Sequence, residues 1–145
     1  NFDPRRVHFM SRVPYSVFQQ VLSISRAHGY LTYPFVLSWS MLEAMSHECM
    51  LIASRTEPVT EVIKDGKNGR LVDFYNPAEV TDAVVAALED QAATIALRKS
   101  ARETVVRDYD LRKVCLPAQI DLISTLGENR RPPRTELSCT APTAL

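Results

Sequence analysis

Residues 30–54 read YLTYPFVLSWSMLEAMSHECMLIAS. Two short apolar runs, YLTY and CMLIAS, flank a loop, PFVLS, and a helical segment over residues 38–48. Runs this short, rich in β-branched, aromatic and aliphatic residues, read as strands, and a helix between two strands makes a crossover that leaves them parallel. With a further apolar run, VHFM at residues 7–10, ahead of a helical stretch, the order becomes strand, helix, strand, helix, strand. That order predicts an α/β fold with a parallel sheet.

The rest of the chain extends this pattern. PYSVFQQVLSISRAHG places Phe18, Val21, Leu22 and Ser25 at helical spacing, and Gly29 can end that helix. After Ser54, Asp65-Gly66 and Asn68-Gly69 favour tight turns, so residues 71–74 are expected to leave a turn as another strand. Asn76, Pro77 and Glu79 form a helix start, and Val80, Ala83, Val84, Ala87 and Leu88 trace one apolar stripe behind it. A second helix is expected over residues 92–107, with Leu97, Ala101 and Val105 on one face. Asp110 caps a third, which Pro117 should kink or delay because proline lacks the amide an interior helix position needs. Residues 127–145 combine prolines with polar residues and show no period, which reads as a disordered tail after a domain spanning residues 1–126.

Composition excludes several classes. The 145 residues are 46% hydrophobic, enough for a core, and the 17 basic and 17 acidic residues cancel, so no bulk attraction to nucleic acid is offered. No apolar run reaches the roughly eighteen residues of a membrane span. Cys49, Cys115 and Cys139 lie far apart without metal-ligand spacing, which reads as reduced thiols in a cytoplasmic protein, and no metal site is visible. The chain starts without a Met, which points to a missing upstream part. No phosphate-loop, dinucleotide, zinc-protease or nucleophile-elbow motif is present.

On a helical wheel from Trp39, Met41, Leu42, Ala44 and Met45 form the apolar arc, while Glu43 falls among Ser40, Ser46 and His47. Glu43 thus faces away from the core, and its pattern fits a surface pair with His47 one turn on. The loop at residues 34–38 nevertheless sits at the carboxyl end of a strand and the start of a helix, where unpaired amides suit a phosphate.

Four segments, VHFMSRVPY, YLTYPFVLSWSMLEAM, LIASRTEPVTEVIKDGKNGRLVDFYNP and SARETVVRDYDL, occur in an order and spacing that resemble the C-terminal half of a retaining glycosyltransferase of the GT-B type, family four or "group one". The likeness covers residues 7–123. It implies two Rossmann-like domains facing across a cleft, this chain being most of the one that holds a nucleotide-sugar donor, such as a UDP- or GDP-sugar. Glu43 then matches the carboxylate that accepts from the ribose hydroxyls, a task its two oxygens suit. Leu37 and Ser38 match loop positions whose backbone amides meet the diphosphate or sugar, and Arg12 and Val13 fall where the family lines the base pocket. Glu61 lies in TEVIKDG, where the family has a recurrent acid near the donor site, and reads equally as a surface charge.

The sequence departs from the family at Phe35, eight positions before Glu43, where an acidic residue usually touches the donor sugar. The cationic diphosphate clamp and the acceptor domain belong to segments upstream of Asn1, and Arg5 and Arg6 read as solvated surface. His8 reads as structural on its strand, and Trp39 as a packing residue or a stacking platform. The resemblance implies transfer of a hexosyl group to an acceptor, without a metal or other cofactor, in a cytoplasmic or peripherally membrane-bound protein that needs an N-terminal domain or partner chain. The rival expectation is a truncated or degenerate domain that binds a nucleotide or a partner without catalysis.

Overall fold

The computed structural model describes residues 3–33 and 36–127, which divide into two compact units, one ending at Asp108 and the other beginning at Tyr109. The first unit is built on β1 (Ala27–Tyr30), β2 (Met50–Ser54) and β3 (Arg70–Val72), all parallel and in the order β1-β2-β3. Five helices accompany them: α1 (Tyr15–Ile24), α2 (Trp39–Ser46), α3 (Glu57–Val62), α4 (Pro77–Glu89) and α5 (Gln91–Asp108). The expected parallel α/β architecture is therefore the observed one.

β2 holds the middle of the sheet, and all five of its residues are buried. Alternation sends Met50 and Ile52 to one face with Val72, where Ala87 of α4 joins them and Ala27, Val80, Ala83, Val84 and Leu97 close the edges. Leu51 and Ala53 point to the other face. Gly69 approaches there so closely that a Cβ would stand 3.0 Å from Ile63 Cγ2 and 3.3 Å from Leu51 Cβ. Asn68, beside it, is buried: its Oδ1 accepts from Lys64 N at 2.7 Å, and its Nδ2 donates to Val62 O at 3.0 Å and Thr104 Oγ1 at 3.2 Å. A residue expected only to form a turn thus ties the turn to α5.

The helix signals behave as their chemistry dictates. Asn76 Oδ1 accepts from Glu79 N at 3.2 Å with Pro77 opening α4, and the expected stripe faces the sheet except for Leu88, which the end of α4 leaves exposed. Met41, Ala44 and Met45 of α2 are fully buried. In the second unit Asp110 Oδ1 accepts from Arg112 N and Lys113 N, and a π-helical turn, Leu111–Cys115, precedes α6 (Leu116–Gly127). The widened turn stands where the ring of Pro117 would crowd the carbonyl four residues back.

Several boundaries differ from the sequence reading. Residues 7–10 are not a strand; His8, Phe9 and Met10 are exposed, because a short apolar run becomes a strand only where a sheet edge takes up its backbone. Gly29 does not end a helix: α1 stops at Ile24, and Gly29 pairs with Ile52 inside β1. The strand read in YLTY lies three residues earlier, since Thr32 gives its N–H to Ser54 Oγ at 2.9 Å and takes that hydroxyl's proton on its carbonyl at 2.8 Å, replacing ladder bonds. β3 ends at Val72 rather than Phe74, and α3 precedes the stretch where the turns were expected. Cys49 and Cys115 are free thiols, whereas Cys139 and the tail beyond Gly127 lie outside the described residues.

Two expectations follow. Gly69→Ala should lower the unfolding free energy by about 1–3 kcal/mol in urea titrations, because its methyl has Leu51 backbone and side chain in its way. Burial holds the His28 imidazole below its ordinary value, so the unfolded chain protonates first; stability is intact above the ordinary imidazole value and declines as pH falls through the folded one. Urea midpoints between about pH 7 and pH 5 should therefore fall less in His28→Gln than in the native chain.

Candidate functional site

The carboxyl ends of parallel strands, where the following helices present unpaired amides, are where an open α/β sheet has room for a ligand. Here β1 and α2 are joined at that edge by a single hydroxyl. Tyr30, the buried last residue of β1, accepts from the Ser38 amide at 2.8 Å, and Ser38 caps α2 through its Oγ, 3.4 Å from Ser40 N. Ser54, fully buried at the end of β2, holds Thr32 as described above.

The far end of α2 is held by α5. Arg98 Nε donates to Glu48 O at 2.6 Å, Arg102 donates to the Ser46 carbonyl, and Arg102 Nε stands 3.8 Å from Glu48 Oε1. Glu48 itself has φ 56°, the left-handed conformation that commonly stops a helix, although it carries a Cβ. Two guanidinium groups at the carbonyl end of α2 satisfy orphan acceptors and complement the helix dipole. α2 is thereby fixed at both ends.

Glu43 lies on this helix, half-buried rather than fully exposed, and the Tyr15 hydroxyl donates to its Oε1 at 2.7 Å. The other oxygen, Oε2, has no hydrogen-bond partner among the described residues. His47 does not pair with Glu43; its Nδ1 lies 3.1 Å from Ser23 Oγ. Residues of α1 have taken both members of the expected surface pair, which a wheel of α2 alone could not show. The bond to Glu43 pushes the Tyr15 phenol above its ordinary value, with desolvation and the carboxylate charge acting in the same direction.

Of the residues singled out from sequence, Ser38 caps the helix that carries Glu43, and Leu37 stands half-buried just before that cap. Arg12, exposed, and Val13, half-buried, lie in the short segment before Tyr15. Glu61 is exposed on α3. Phe35 lies outside the described residues. Trp39 is 81% exposed, which contradicts a packing role.

Sequence reasoning missed Tyr15, whose part depends on a contact 28 positions away. It also missed Thr56, whose buried hydroxyl has no partner among the described residues although the residue precedes α3 as an ordinary cap would. Among the described residues no group of three or more His, Cys, Asp and Glu is placed to hold a metal, and no helix is long and apolar enough to cross a membrane.

Residues 4–104 match the family model of glycosyl transferases group 1. No curated protein matches the chain. Among solved structures, sucrose-phosphate synthase from Thermosynechococcus elongatus superposes with a TM-score of 0.77 at 19% identity, over 86% of this chain and 31% of that one. The C-terminal domain of the group 1 glycosyl transferase LpcC from Francisella tularensis gives 0.64 at 18% identity, over 73% and 53%. HepE of Anabaena, solved with UDP-glucose, gives 0.63 at 17% identity, over 75% and 29%. At these identities the likeness is one of fold, and the chain spans about half or less of the relatives it matches.

The Tyr15–Glu43 bond has a direct readout. The neutral phenol is the donor, so its ionisation is delayed to higher pH while Glu43 is charged. Ultraviolet titration, taken as the difference from Tyr15→Phe, should show the Tyr15 ionisation falling toward the ordinary phenol range in Glu43→Gln.

Proposed function

Because the chain belongs to the glycosyl transferases group 1 family, we propose that it is the donor-binding half of an enzyme that moves a sugar from a nucleotide-diphosphate sugar to an acceptor with retention of configuration. The observation that carries this reading is Glu43: a carboxylate on a helix fixed at both ends, oriented through one oxygen by Tyr15, with the second oxygen available for a ribose hydroxyl pair. Leu37 and Ser38 present backbone amides to the diphosphate or sugar, the Ser38 amide keeping its bond to Tyr30 as a shared donor. Arg12 and Val13 border the base, and Glu61 lies near the donor site. Phe35 cannot accept a hydroxyl's hydrogen bond, so the sugar is held by other groups.

Catalysis in such a transfer comes from positioning and from stabilising the charge on the departing diphosphate. A nucleotide- or partner-binding domain without catalysis of its own is the second reading, favoured by Phe35 at the position where the family has an acid.

Calorimetric titration with UDP and GDP tests the assignment. Glu43→Gln should weaken the bound nucleotide about ten- to a hundredfold, as loss of a charge-assisted hydrogen bond does. Tyr15→Phe should weaken it less, since the carboxylate remains. An affinity unchanged by Glu43→Gln would sink the ribose role, and failure to bind either nucleotide would leave the partner-binding reading.

A further inference from the structure

Tyr33 follows the end of β1, and Phe74 and Tyr75 follow the end of β3, so two strand ends separated by β2 deliver three aromatic side chains to one place. Ring centroids lie 6.2 Å apart for Tyr33–Phe74, 6.5 Å for Tyr33–Tyr75 and 5.1 Å for Phe74–Tyr75, with interplanar angles of 74°, 81° and 87°. Each ring meets its neighbours edge to face, the preferred arrangement for aromatic quadrupoles. The rings remain open to solvent all the same: Tyr75 is 72% exposed, Tyr33 61% and Phe74 36%. Aromatic surface gathered in one place and left open to solvent is a feature of binding surfaces.

We propose that the Tyr33, Phe74 and Tyr75 cluster is a saccharide-stacking platform, which takes a neutral glycan on the same sheet edge as the start of α2. The inference rests on the glycosyl-transfer reading above, which brings saccharide to this edge. Its chemistry is complementary. The C–H face of a pyranose is apolar and slightly positive, so it stacks on the negative face of an aromatic ring, while its hydroxyls need acceptors and donors at the rim. Tyr33 and Tyr75 contribute phenol groups, and Asp73 a carboxylate whose Oδ1 is engaged by the Tyr75 amide at 2.8 Å, which also pins the turn that presents the rings. The Asp73 amide is in turn held by Glu79 Oε2 at 3.1 Å, so the platform is anchored to the start of α4. Perpendicular rings give a bent surface, which suits a saccharide chain better than a flat aromatic base.

Protein-observed NMR with maltotetraose and with cellotetraose, in the absence and presence of saturating UDP, tests this. At least one saccharide should shift the ring resonances of Tyr33, Phe74 and Tyr75. Tyr75→Ala should weaken that binding about fivefold or more, and Tyr75→Phe, which keeps the ring, should largely retain it, with UDP affinity unchanged in both. UDP binding without ring shifts from either saccharide would overturn the platform and leave the donor site standing. Ring shifts that depend on protein concentration and vanish in Tyr75→Ala would overturn it in favour of a second copy of the chain. Loss of UDP and saccharide binding together would overturn the glycosyl-transfer reading as well.

Discussion

The structure depends on β2. A strand with a parallel neighbour on each side and helices over both faces has no polar surface to offer water, and its sequence, MLIAS, is apolar up to the last residue. Ser54 at that last position is buried with its hydroxyl satisfied twice by Thr32, so the strand's end is also where β1 leaves the sheet. On one face the strand requires Ala87 and its neighbours on α4; on the other it admits β3 only because Gly69 has no side chain. A one-residue slip would turn each of these side chains to the wrong face.

α2 inherits its position from this arrangement. Its start is tied to β1 through the Tyr30 hydroxyl, and its finish is gripped by Arg98 and Arg102 from α5, a helix that itself packs on the sheet. Both contacts use backbone groups that a helix cannot satisfy internally, so the restraint on α2 is also the solution to its own end effects. Glu43 between them has little freedom to move, and Tyr15 removes more. A carboxylate oriented in advance loses less entropy when it meets a ligand.

The carboxyl edge of the sheet thus carries two different surfaces. The start of α2 offers amides and an oriented carboxylate, suited to a nucleotide, while the ends of β1 and β3 offer aromatic faces. Residues 4–104, which include both surfaces, match the glycosyl transferases group 1 family.

Much of this was legible in the linear chain because it depends on local chemistry. The parallel α/β class, the Asn76-Pro77 start of α4, the buried arc of α2 and the cap at Asp110 all follow from period, proline and capping residues, and the structure retains them. Where the reading failed, partners distant in sequence decided the outcome. Residues 7–10 have strand composition but do not join the sheet, Gly29 is drawn into β1 by Ile52, and Leu31 to Tyr33 lose their ladder to a serine on the next strand. The candidate site divides in the same way. Residue pattern placed Glu43 off the core face, and family likeness named its ligand, but its partner was misassigned: helical periodicity sees only neighbours on the same helix. Only the tertiary structure could bring Tyr15 to Glu43 and Ser23 to His47, or gather Tyr33, Phe74 and Tyr75 from two strand ends, since contacts between elements arise from packing and leave no period in the sequence.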